Sequence, residues 1–89
     1  MPKLPLKMGV LKVVIERGPV SEPDIVRTLE PDYGRERHFS ARVVENYLLS
    51  LRAVGLITET LTADASGEET AVFIPTRAAA LKMANYISK

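Results

Sequence analysis

The chain contains no cysteine and no tryptophan, and it carries a single histidine. The lack of cysteine excludes a disulfide scaffold and any thiolate metal centre, and it fits a reducing compartment, so a cytoplasmic location is expected. One histidine, His38, offers too few imidazoles for a zinc or other transition-metal site. No apolar run approaches the ~20 residues that a membrane-spanning helix requires. The opening stretch MPKLPLKMGVLKVVIERG has the basic lead and apolar middle of a signal peptide. Lys12 interrupts it, Glu16 and Arg17 follow, and no A-x-A-like cleavage site is present, so it reads as a helix.

Catalytic patterns are missing as well. There is no glycine-rich phosphate loop, no G-x-S-x-G, no nucleophile with a plausible histidine base and no metal-ligand cluster. A protein that is not an enzyme and needs no cofactor is the expectation.

What is present is the composition of one globular domain, expected to cover residues 1–89. A hydrophobic content of 46% argues against disorder. A chain of this size buries roughly 60–70% of its unfolded surface. The net charge of +1 is small, but its distribution is uneven. Residues 1–17 hold four bases and one acid, residues 56–75 four acids and no base, and residues 76–89 three bases and no acid. Any footprint on nucleic acid must therefore be local.

The spacing of apolar residues predicts a first helix over about 4–17, with Leu4, Met8, Leu11, Val14 and Ile15 inward and Pro5 in its first turn. Gly18, as a left-handed cap, and Pro19 stop it. Val10 and Val13 widen the apolar stripe beyond the needs of one contact surface. Ser21 caps a second helix over about 22–30, with Asp24 in capping-box position, Val20 and Ile25 in staple positions, and Pro31 disfavouring helix at Glu30. A polar connector, PDYGRERHF, follows. Ser40 caps a third helix over about 40–54, in which Val44, Leu48 and Leu51 recur at i, i+4 and i+7, and Gly55 ends it. Strands over about 56–63 and 70–75 flank the turn DASGEE, whose glycine needs positive φ. Thr76 caps a last helix over 76–89.

The pattern V-x-x-x-L-x-x-L-x-x-x-G-L-I, formed by Val44, Leu48, Leu51, Gly55, Leu56 and Ile57, resembles the junction between recognition helix and wing in the winged helix-turn-helix superfamily. The element order extends that likeness over essentially the whole chain, which is most similar to small bacterial and archaeal regulators of the MarR, PadR and ArsR type. The resemblance implies an α+β fold with a three-helix core, a β-hairpin wing and a C-terminal helix. It implies a sequence-specific DNA-binding transcriptional regulator whose third helix enters the major groove of double-stranded DNA. Winged helices also serve as protein-interaction modules without DNA binding, and that is the alternative.

With Val44 turned inward, Arg42, Ala53 and Asn46 fall near the outward pole of the third helix. Leu49 and Glu45 lie on one shoulder, Val43 and Ser50 on the other. Arg42 has the donors for a guanine edge, Asn46 for a bidentate pair with adenine, and Val43 a methyl for thymine. Ser40 and the first free amides of the helix suit a phosphate. Arg35, Arg37 and His38 lie where they could neutralise backbone phosphates. Arg42 and Glu45 could instead form a plain i, i+3 ion pair. Tyr33 and Phe39 are the candidate exposed aromatics for RNA, whereas Tyr47 is expected to pack against another helix.

Two features oppose DNA. The hairpin has Glu59, Asp64, Glu68 and Glu69 and no base, so its tip should point away from a duplex or touch it little. Leu49, apolar and near the outer face, marks a possible protein contact, as does the acidic hairpin. The apolar N- and C-terminal helices either join two copies into a homodimer, presenting two third helices to successive half-sites, or complete the monomer core.

Overall fold

The computed structural model describes residues 4–87, with the side chain of Ile87 outside that description. Its elements are α1 (Leu6–Arg17), β1 (Val20–Ser21), α2 (Glu22–Tyr33), α3 (Ala41–Ala53), β2 (Ile57–Ala63), β3 (Glu69–Pro75) and α4 (Arg77–Ile87). The expected helices and hairpin are all present. The last two residues of the helix expected over 76–89 lie outside the described residues.

The core is built around α1, which packs against α2, α3, α4 and β3. This explains the width of its apolar stripe. Val10 and Val13 are buried along with Leu11 and Val14 because neighbours surround the helix on several sides. The surplus apolar surface of the N-terminal helix thus completes the chain's own core.

Local chemistry sets the element ends. Ser21 Oγ accepts the Asp24 amide at the start of α2, and Val20 and Ile25 are buried across that cap. At the far end of α3, Gly55 adopts φ 82°, its amide reaches the Arg52 carbonyl, and the Leu56 amide reaches the Leu51 carbonyl. These paired bonds form a Schellman cap, which needs the left-handed conformation that glycine allows. Gly67 in the hairpin turn also has positive φ, as expected.

Four sequence expectations are corrected, and one element is added. Gly18 is extended rather than left-handed, with φ −63° and ψ 146°. It is needed for space instead, since a Cβ there would lie 2.6 Å from the Val14 carbonyl oxygen. Secondly, α2 does not stop before Pro31 but runs through it to Tyr33. Pro31 forgoes only one helical bond near the end of the helix, and continuing the helix delivers Tyr33 to the core. Tyr33 is therefore not an exposed aromatic for RNA: it is buried, and its hydroxyl donates to the Leu4 carbonyl. Gly9 makes room for it, because a Cβ on Gly9 would fall 2.9 Å from that hydroxyl.

Thirdly, the hydroxyl of Thr76 donates to the carbonyls of Gly55 at 2.7 Å and Leu56 at 3.0 Å, and the Ala79 amide bonds the Thr76 carbonyl. The hydroxyl ties the start of α4 to the α3–β2 junction. Finally, the two-residue strand β1 was not anticipated. It adds an edge to the hairpin, giving an antiparallel sheet in the order β1-β3-β2, with Val20 opposite Phe73 and Ile57 opposite Pro75. Beyond Ile57, β2 is exposed on both faces, so the hairpin projects from the core as a wing.

Tyr33→Phe should cost about 0.5–1.5 kcal/mol by removing one hydrogen bond. Gly9→Ala should cost about 1–3 kcal/mol by overpacking against the same ring. Urea denaturation of both single variants and the double variant should show costs that do not add, because the two residues touch.

Candidate nucleic-acid interface

The packing of α3 decides what its outer face offers. Val44, Leu48 and Leu51 are all buried, so the opposite face must look outward. Arg42 and Asn46 are exposed, and Val43 is half-buried on the flank. Arg42 and Glu45 make no ion pair among the described residues, so the guanidinium is not engaged by that neighbour. Tyr47 is half-buried against the core, as expected.

At the start of α3, Ser40 Oγ accepts the Val43 amide at 3.1 Å and the Ser40 carbonyl accepts the Val44 amide at 3.1 Å. The Ala41 and Arg42 amides belong to the first turn, where a helix has no internal acceptor for them. The preceding segment is held by two backbone bonds, from Glu36 to the Tyr33 carbonyl and from Phe39 to the Glu36 carbonyl. Tyr33 is buried and Phe39 half-buried at its two ends, so the intervening Arg35, Arg37 and His38 are left on the surface. All three are exposed and free of ion pairs among the described residues. The sequence-predicted residues are thus gathered at one end of α3 and the loop that leads into it.

Sequence reasoning missed Arg27. It lines a shallow groove with Ala41, the first residue of α3, and pairs with Asp24 at 3.2 Å. The i, i+3 spacing of Asp24 and Arg27 was a readable sign of the pair; its nearness to α3 was not.

A second groove, also unforeseen, flanks the other shoulder of α3. It lies between the start of α2, α3 and the hairpin, has a volume of about 360 Å³, and is lined by Leu48, Leu49 and Phe73 with Glu22, Glu45 and Glu59. Leu49 is 48% exposed there. Glu59 is paired with Arg52 of α3, which braces the hairpin against the helix. Partial burial, and after it the charge of Glu45, push the Glu22 carboxyl above its ordinary value. At the hairpin tip, hydrogen bonds from the Ser66 hydroxyl and from the Glu68 and Ser66 amides hold Asp64 below the usual carboxylate range. No base accompanies these acids in β2, β3 or their turn.

Three helices packed with a hairpin wing, the third helix leading into the wing, define the winged helix-turn-helix class, and the chain has that α+β fold. No protein-family model and no curated protein matches the sequence. Solved structures do match by fold. One is Bacillus subtilis PadR in complex with operator DNA, with a TM-score of 0.78 and 19% identity; the match covers 100% of this chain and 49% of that one. The chain thus spans about half the length of that protein. Another is a PadR-like transcriptional regulator from Bacillus cereus, with a TM-score of 0.78, 17% identity, and coverage of 93% and 78% of the two chains. A third is a transcriptional regulator assigned in Thermoplasma acidophilum, with a TM-score of 0.73, 15% identity, and coverage of 91% and 75%. No described helix is long and apolar enough to cross a membrane.

The raised Glu22 pKa means that its ionised form weakens the fold. Glu22→Gln should therefore raise the Tm at pH 7. The advantage should shrink as the pH falls through the raised value toward the ordinary one, because the wild-type carboxyl is then protonated in the folded state. Thermal melts of both proteins across that range provide the check.

Proposed function

We propose that this domain binds double-stranded DNA as a sequence-specific transcriptional regulator, with the N-terminal half of α3 in the major groove. The observation that carries this reading is the exposed Arg42 and Asn46 directly opposite the buried Val44, Leu48 and Leu51. Arg42 pairs with a guanine edge and Asn46 with adenine, while Val43, half-buried, reaches at most a thymine methyl on the flank. Ser40 and the first-turn amides meet one phosphate, and Arg35, Arg37 and His38 meet others. The likeness in fold to PadR, solved with operator DNA, supports the same reading. Such a regulator acts in the cytoplasm, without a cofactor and without catalysis.

Two half-sites call for two copies. Because α1 is buried within its own chain, we assign the pairing surface mainly to α4, where Leu81 is 63% exposed and Tyr86 41% exposed. The acidic hairpin stays off the phosphates in this arrangement. A second reading, a protein-interaction module that does not bind DNA, is favoured by exposed Leu49 beside the acidic wing. Heparin and duplex-DNA chromatography separate the two, since only the first predicts retention.

The affinity for duplex should fall linearly on a log–log plot against salt. Arg42→Ala should cost about 1–3 kcal/mol at the preferred base pair and relax sequence choice there. Arg37→Ala should weaken all sequences alike and reduce the salt slope by about one. Fluorescence anisotropy at several salt concentrations reads all three effects; salt-independent binding, or no loss in either variant, would contradict the proposal.

A further inference from the structure

The groove on the Glu45 shoulder of α3 is not used by the DNA reading, and its chemistry points elsewhere. Its volume of about 360 Å³ lies within the range of small-ligand clefts. The walls are apolar: Leu48 and Phe73 close the inner side, and Leu49 stands partly in solvent over it.

The charges around this apolar space are one-sided. Three carboxylates border it and no lysine or arginine does. Arg52 engages Glu59, which leaves Glu22 and Glu45 facing one another without a cation among the described residues. Burial and that mutual repulsion both act on Glu22. An anionic or polyanionic occupant is disfavoured there, and an apolar neutral one would bury the carboxylates without compensating them. A body with one positive charge satisfies both halves of the groove: its apolar part removes Leu49 and Phe73 from water, and its charge sits between two carboxylates.

We propose that this groove binds a small organic cation, a molecule with an apolar body and a single ammonium-type charge, held between Glu22 and Glu45 over Leu49 and Phe73. The site stands on its own geometry. Only its consequence rests on the DNA reading: Glu45 and Leu49 share α3 with Arg42 and Asn46, so an occupant intrudes on the face a duplex must approach and the two compete.

The test titrates the full chain with benzyltrimethylammonium and, separately, with benzenesulfonate, an anion carrying a similar apolar ring, while backbone amide NMR shifts are followed. Saturable shifts are expected with the cation at residues 45–49 and 71–73, and none with the anion. The double variant Glu22→Gln, Glu45→Gln should retain a folded spectrum and bind the cation about tenfold more weakly or worse, because two attractive charges are gone. Leu49→Ser should weaken binding without removing the charge selectivity. Equal binding of cation and anion, shifts centred elsewhere, or no saturable shift with the cation would overturn the site. Stronger binding of a short lysine-rich peptide than of the small cation would overturn the occupant. Competition with labelled duplex is read separately, so a chain that binds the cation but no DNA keeps the groove and loses the DNA reading.

Discussion

The inward packing of Val44, Leu48 and Leu51 against the neighbouring helices fixes everything on the far side of α3. Three fully buried aliphatic side chains contribute about 1.5–3 kcal/mol each, enough to hold one rotational setting of the helix against any alternative. With that setting locked, Arg42 and Asn46 have nowhere to go but outward. The Schellman cap at Gly55 and the Thr76 hydroxyl then tie the end of the helix to the root of the hairpin and the start of α4. A change in the core would therefore be felt at the interface through the helix's rotation, not through any direct contact.

The same helix separates two electrostatic environments. Toward its N-terminus lie Arg35, Arg37, His38 and Arg42, exposed and free of ion pairs among the described residues. Along the opposite shoulder lie Glu22, Glu45 and Glu59 with exposed Leu49. A near-zero net charge conceals this division. It leaves the domain little long-range field, so on the proposed reading DNA recognition rests on short-range contacts at one end of α3. Two of the wing's acids are already engaged: Glu59 pairs with Arg52, and Asp64 shapes its own turn.

Much of this was legible in the sequence because it rests on local rules. Helical spacing placed the α3 core, Ser21 and Ser40 marked two helix starts, Gly55 marked the end of α3, and Gly67 marked the positive-φ turn of the hairpin. The failures share a physical cause, which is that tertiary packing overrides a local preference. Pro31 looked like a helix stop, yet burying Tyr33 against Gly9 favoured carrying the helix past it. Gly18 looked like a left-handed cap, but its missing side chain serves close approach to Val14 and β3. Thr76 stands where a cap would, but its hydroxyl donates to two carbonyls across the chain. The acidic groove draws on three separate segments, so no single stretch of sequence could show it.

Amide chemical-shift mapping with a short duplex carrying the preferred site would bear hardest on the role of α3. The largest changes should fall at Ser40–Asn46 and at Arg35, Arg37 and His38, with the hairpin tip at 64–68 unmoved. Changes concentrated on the hairpin or on α4, with Arg42 and Asn46 silent, would mean that the outward face of α3 is not what meets DNA.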